Sequence, residues 1–386
     1  MFIYIYCFYY FEHVHFISFF LIIKHTFSGI NVRTLSHVSM AACFMISVAN
    51  MIQLIRRMTM DRLGLLCRNI YENNKMTQRE LAAAMDLSLG TCNHLVKDGL
   101  AQELFTFDPA EGTYSLLKGG VDLLRKYRMD SAVILAAGFG SRFVPLTFET
   151  PKGLLEVYGE RMIERQIKQL HEAGVTDITI VVGYLKEKFE YLIDKFGVKL
   201  LYNPEYHNKN TLTTLYRARE CFIGRNTYLL SSDNWMRNNM YHTYECGAWY
   251  SAAHEEGETK EWCLTFNKKG RISDVNVGGK DAWFMYGPVY LSREFSAKFL
   301  PVLEAYYQIP GTEQFYWEQP YVDMLKGEAK RRLEKEDKEL LKQTEEACGI
   351  PASKWNEIEM NINRQPDNQV YEFENLEELR LFDTHY

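Results

Sequence analysis

An apolar run that ends in a glycine-rich turn restricts this chain more than any other stretch. Ser131-Ala-Val-Ile-Leu-Ala-Ala137 is short and leads at once into Gly138-Phe-Gly-Ser-Arg142. The apolar run reads as a strand buried in a parallel sheet. The small residues after it let the backbone approach a phosphate chain closely. The N–H groups of such a loop form an anion-binding concavity. Arg142 adds charge without blocking that approach. Pro145, Thr147 and Pro151 continue the segment to Lys152, whose ammonium acts on a phosphate as a point charge. The string is neither G-x-x-x-x-G-K-[ST] nor G-x-G-x-x-G, which excludes a P-loop ATPase and leaves a dinucleotide fold unsupported.

The order of elements downstream points to the same architecture. Arg161 to Ala173 reads as an amphipathic helix stopped by Gly174, and Thr176 to Val182 as a strand. Leu185 to Lys195 is a second helix, Val198 to Tyr202 a strand, Thr211 to Phe222 a third helix and Tyr228 to Ser232 a strand. This alternation predicts a parallel sheet with helices on both faces. Ligands bind outside the carboxyl ends of such strands. Gly138, Gly183, Tyr184, Asn203 and Asp233 all fall there. Asp233 follows Ser231-Ser232, and a carboxylate in that place suits a hard cation such as Mg2+ held against phosphates.

The string from Leu135 to Thr147, with Pro151-Lys152, resembles the signature of sugar-phosphate and alcohol-phosphate nucleotidyltransferases. Four further segments sharpen this: Gly183 to Glu187, Asn210 to Tyr216, Lys260-Glu261-Trp262 and Phe315-Tyr316-Trp317-Glu318. With them the chain is similar to bacterial CTP:phosphocholine cytidylyltransferases from about Asp130 to Lys326, and again from Val370 to Phe382. The resemblance implies an α/β fold with a Rossmann-like mixed sheet. It implies nucleotide contacts by Ala137, Gly138, Gly140, Ser141, Gly183, Tyr184, Asn210 and Thr211. Lys152, Arg142 and Asp233 would be catalytic, Asp233 and Glu318 would hold Mg2+, and CTP and phosphocholine would be the substrates. Two departures stand out. Ser231 replaces the first of two aspartates that many relatives carry, and Glu318 stands where an aspartate is usual.

The acceptor can also be weighed on physical grounds. A quaternary ammonium donates no hydrogen bond and is recognised by aromatic faces with a carboxylate nearby. Trp262, Tyr316 and Tyr286, with Trp317, supply such faces, although each alone is more commonly core. Two alternatives stay open. One is the same chemistry on phosphoethanolamine or a sugar 1-phosphate. The other is a DNA-binding regulator that senses a choline nucleotide.

Residues 58–128 read as a smaller unit that precedes the transferase region, 130–386. Asp61 to Glu72 has helical apolar spacing, and Thr77 with Glu80 forms a capping box for a helix from Gln78 to Met85. A turn at Asp86 to Gly90 leads to a helix from Thr91 to Asp98, closed by Gly99. Two strands around Asp108 to Gly112 and a helix from Gly119 to Tyr127 complete a winged helix-turn-helix. Asn93, His94 and Lys97 suit DNA contact, whereas Asp98, Asp108 and Glu111 oppose it. DNA and a protein partner both remain open for this unit, as does a homodimer.

The first 57 residues are set apart. Phe2 to Ile23 has the length of a membrane span, but Glu12, His13 and His15 interrupt it and no basic segment precedes it. Translated upstream sequence, with a start at Met51, Met58 or Met60, is the favoured reading, and stable membrane insertion is not expected. The 386 residues are 47% hydrophobic and 24% charged, with a net charge of -6, so the whole chain makes no electrostatic case for nucleic acid. The eight cysteines show neither C-x-x-C nor zinc spacing, which points to reduced thiols and a cytoplasmic location. Gly327 to Glu346 reads as a solvated helix and Asn375 to Phe382 as a short closing helix, with no chemistry expected from either.

Overall fold

The computed structural model describes residues 61–386, so the expectations for segment 1–57 and its candidate starts lie outside the described residues. Helix α1 covers residues 61–72. The Thr77–Glu80 capping box forms at the start of α2 (Gln78–Ala84): the Glu80 N–H donates to the Thr77 hydroxyl at 3.3 Å, and the Thr77 N–H to the Glu80 carboxylate at 2.7 Å. Helix α3 (Leu89–Ala101) is capped by Ser88 and is longer than its sequence suggests. Gly99 does not end it. A methyl group there would lie 2.4 Å from the Phe105 ring, so this glycine serves close packing rather than a turn. Strands β1 (Phe105–Asp108) and β2 (Thr113–Leu116) form the expected hairpin, turned by Gly112 at φ +65°. Helix α4 (Lys118–Arg125) follows. Leu63, Leu66, Leu81, Leu95 and Phe105 share the core of this region.

The rest of the chain builds on a seven-stranded mixed sheet. Strand β3 (Ser131–Ala136) carries the glycine loop, and the short pair β4 (Glu156–Val157) and β5 (Glu160–Arg161) precedes α5 (Met162–Glu172). Then come β6 (Ile178–Val182), α6 (Tyr191–Phe196), β7 (Lys199–Tyr202), α7 (Thr211–Ala218), β8 (Thr227–Ser231) and β9 (Asn234–Met236). Two long strands, β10 (Trp249–Phe266) and β11 (Ile272–Leu291), lead into α8 (Arg293–Gln308), α9 (Gln319–Leu325), α10 (Glu328–Glu336) and α11 (Lys338–Cys348). The chain closes with β12 (Asn361–Arg364), β13 (Val370–Glu372) and α12 (Leu376–Phe382).

The strand order is β12-β10-β11-β8-β3-β6-β7. Strands β8, β3, β6 and β7 are parallel, as the alternation predicts, whereas β11 runs antiparallel to β8 and to β10. Successive residues of β3 point to opposite faces. Val133 enters the core beneath α7 and α8, while Ala132 and Ile134 enter the core beneath α5. That is why β3 is apolar from Ala132 onward.

Gly327 to Glu346 is not one solvated helix. Asp337 breaks it, its carboxylate accepting the N–H groups of Glu339 at 2.9 Å and Leu340 at 3.1 Å, and Leu333 and Leu341 are buried. Among the described residues no helix is long and apolar enough to cross a membrane.

The helical region is tied to the sheet by a buried ion pair. Arg68 of α1 reaches Glu245 at 2.8 Å, with side chains only 13% and 2% exposed. Glu245 also accepts the Tyr228 hydroxyl of β8 at 2.8 Å. The Asn226 amide donates to the carbonyls of Lys126 and Arg128, and His242 meets Glu72 at 2.7 Å.

Candidate active site

At the carboxyl ends of β3 and β8 the structure opens a cleft of about 780 Å³. One wall is the glycine loop. Gly140 has φ +69°, and its carbonyl accepts the Thr147 hydroxyl at 3.0 Å, which folds Lys152 back beside the loop. The Lys152 ammonium lies 2.5 Å from the Asp233 carboxylate and over the Phe143 ring. Gly153 is equally constrained: a methyl group there would sit 2.7 Å from the Ser232 side chain. The turn that carries Asp233 is clamped from α5, where the Gln166 amide donates to the carbonyls of Ser231 at 3.0 Å and Asn234 at 2.7 Å.

A second carboxylate arrives from the distant end of the chain. Strand β13 pairs with β9, which sets Glu372 opposite Asn234, and the Asn234 amide donates to Glu372 at 3.2 Å. Burial, and then the charge of Asp233, push the Glu372 carboxyl above the usual range. Glu374 follows and pairs with Arg142 of the glycine loop. Neither acid was expected from the sequence. The tail is locally an ordinary polar strand and short helix, and only the β9–β13 pairing reveals its role.

Another part of the same cleft is aromatic. Trp262 and Tyr316 meet edge to face, with centroids 6.1 Å apart, and Tyr316 is 53% exposed. Glu255, Glu261 and Glu318 line the cleft with them. Glu318 accepts the Tyr250 hydroxyl at 2.9 Å, and burial pushes its carboxyl up to about 7. Tyr286 lines the cleft while its hydroxyl accepts the Glu372 backbone N–H at 2.6 Å.

The structure therefore gathers Ala137, Gly138, Gly140, Arg142, Lys152, Thr211, Asp233, Trp262, Tyr286, Tyr316 and Glu318 around one space. Ser141, Gly183, Tyr184 and Asn210 do not line it. Gly183 and Tyr184 buttress the loop: the Tyr184 N–H donates to the Ala137 carbonyl at 3.1 Å, and a methyl on Gly183 would lie 2.6 Å from that oxygen. Asn210 caps α7 and donates to the Gln314 carbonyl at 3.3 Å. Thr211 is in the lining, but its hydroxyl also accepts the Trp317 N–H at 3.0 Å.

The raised carboxyls have a consequence for stability. Glu318 and Glu372 hold protons more tightly folded than unfolded, so the folded chain binds more protons between about pH 4.5 and 7. Stability then falls as pH rises through that window. The free energy of urea unfolding is expected to be lower at pH 7.5 than at pH 5.5 by roughly 1–3 kcal/mol, and Glu318→Gln should remove part of the difference. Glu205 behaves oppositely: against the effect of burial, Lys209 and Arg217 hold it at about 2, so its contribution is lost only at lower pH.

Residues 131–255 match the family model for nucleotidyl transferase, and residues 68–98 match a winged helix-turn-helix DNA-binding model. A choline-phosphate cytidylyltransferase of Streptococcus pneumoniae is 34% identical over 195 residues, covering 50% of this chain and 84% of the relative. A 2-aminoethylphosphonate cytidylyltransferase of Lancefieldella rimae is 34% identical over 190 residues, covering 49% of this chain and 77% of the relative. The solved structure of the CTP:phosphocholine cytidylyltransferase of Streptococcus pneumoniae superposes with a TM-score of 0.56 at 28% identity, over 67% of this chain and 99% of that one. Sequence similarity and fold agree: the chain belongs to the nucleotidyl transferase family, among its cytidylyltransferases, with a winged helix-turn-helix ahead of the transferase fold.

Proposed function

We propose that the protein transfers the cytidylyl group of CTP to phosphocholine, giving CDP-choline and pyrophosphate. The observation that carries the acceptor is the Trp262–Tyr316 ring pair, set among Glu255, Glu261 and Glu318 in the cleft that holds Lys152 and Asp233. Aromatic faces attract a quaternary ammonium, and adjacent carboxylates balance its charge. The glycine-loop N–H groups and Arg142 take the triphosphate. Arg142 must leave Glu374 to do so. Lys152 positions a phosphate oxygen beside the α-phosphorus. An acceptor phosphate oxygen then bonds to that phosphorus in line, and the bond to the β-phosphate oxygen breaks as pyrophosphate leaves. No general base is required, because the attacking oxygen is already anionic.

The carboxylates fit a divalent cation. Glu372 is half-buried with the Asn234 amide as its donor, and a hard cation would offset both the loss of solvent and the Asp233 charge that push its carboxyl up. Among the described residues no group of three or more His, Cys, Asp or Glu side chains forms a ready cage. A two-carboxylate site completed by phosphate oxygens and water is the usual arrangement for Mg2+. We assign Asp233 and Glu372 to it, where Mg2+ would neutralise phosphate charge, and leave Glu318, bonded to Tyr250, to the acceptor's cation.

The test is pyrophosphate release by the full chain with Mg2+ and CTP, comparing phosphocholine, phosphoethanolamine, 2-aminoethylphosphonate and glucose 1-phosphate. Phosphocholine is expected to give a kcat/KM at least about tenfold above the others, an advantage of about 1.4 kcal/mol from cation–π contact. A preference for either primary amine would keep the chemistry and reject the choline assignment. Binding of CTP without turnover of any acceptor would favour a nucleotide sensor.

A further inference from the structure

Tyr250 belongs to none of the motifs that mark this family in the sequence. It lies on β10, 7% exposed, with its ring parallel to that of Trp317 at an interplanar angle of 2° and a centroid separation of 5.9 Å. Trp317 is itself buried and tied through its backbone N–H to Thr211. The phenol is thus packed flat against a fixed wall, and its hydroxyl donates to the Glu318 carboxylate at 2.9 Å.

A glutamate has one more rotatable bond than an aspartate and loses more freedom when a ligand orders it. A donor that holds the carboxylate beforehand removes that cost. The donor here is neutral, so it fixes the carboxylate without cancelling its charge, as a lysine or arginine would. We infer that Tyr250 is a positioning residue for acceptor recognition, holding the Glu318 carboxylate ready for the cationic end of the acceptor beside Trp262 and Tyr316. This rests on the choline reading above.

Tyr250→Phe keeps the ring and its stacking and deletes only the hydroxyl. In the full chain with Mg2+ and CTP, the KM for phosphocholine should rise about tenfold, the size of one hydrogen bond to a charged group, while the KM for CTP changes less than twofold. Glu318→Gln should raise the phosphocholine KM as well, and adding Tyr250→Phe to it should cost less than a further twofold, since both changes remove one interaction. An unchanged phosphocholine KM in Tyr250→Phe would overturn the inference, as would an equal rise in the CTP KM or independent effects in the double variant. Those failures occur in an enzyme that uses phosphocholine. A wild-type protein that uses only glucose 1-phosphate would instead reject the choline reading, and this inference with it.

Discussion

Replacing Asp233 by alanine is expected to lower kcat/KM for pyrophosphate release by about 10³-fold, because it removes charge stabilisation worth several kcal/mol in the transition state. Two effects combine. The carboxylate assigned to the cation is lost, and the Lys152 ammonium, now 2.5 Å from it, loses the partner that aims it. The fold should survive. Gln166 holds the turn through the backbone carbonyls of Ser231 and Asn234 and makes no use of the Asp233 side chain. Thermal unfolding of the variant should therefore match wild type within a few degrees, and CTP should still bind through the glycine loop. Retention of a tenth of the activity would show that Asp233 is not at the reacting phosphates.

Replacing Glu245 by alanine should destabilise the protein by about 3–5 kcal/mol, measured by urea unfolding, without touching the cleft. The substitution strands the Arg68 guanidinium where it is only 13% exposed and leaves the Tyr228 hydroxyl without its carboxylate. A contrast is built into the same region. Asp86 pairs with Arg364 at 3.2 Å, but the side chains are 86% and 40% exposed, so Asp86→Ala should cost less than about 1 kcal/mol. Changing Arg68 to methionine together with Glu245 to leucine should recover much of the loss, because apolar replacements of similar size leave no uncompensated charge. Equal costs for Glu245→Ala and Asp86→Ala would mean that the helical region is held by something other than this pair. The buried contact also bears on the winged helix. Residues 61–128 carry nine Lys and Arg against nine Asp and Glu, a balance that suits attachment to the transferase better than a phosphate backbone.

Much of this protein is local in origin and so was legible in its sequence. The Ser131–Ala136 strand, the glycine turn, the capping box at Thr77 and Glu80, and the alternation through β8 each depend on residues near one another in the chain. The family motifs are of the same kind, since a phosphate loop needs small residues in one short stretch. What the motifs did not carry was what distant segments do to each other. Glu372 and Glu374 reach the cleft only because β13 pairs with β9, and Tyr250 becomes a donor to Glu318 only because β10 passes Trp317. Gly99 looked like a helix stop, because the Phe105 ring that requires it is invisible to local pattern. The antiparallel pairing of β10 and β11 is likewise a long-range fact. Backbone propensity, turn chemistry and apolar periodicity act over a few residues, so the class of fold, the glycine loop and the lysine and aspartate that meet beside it could be read from local sequence. Tertiary structure alone decided which carboxylates share the cleft, which of them are pushed toward neutrality and how the winged helix is attached, because burial and charge–charge interaction depend on distance in space.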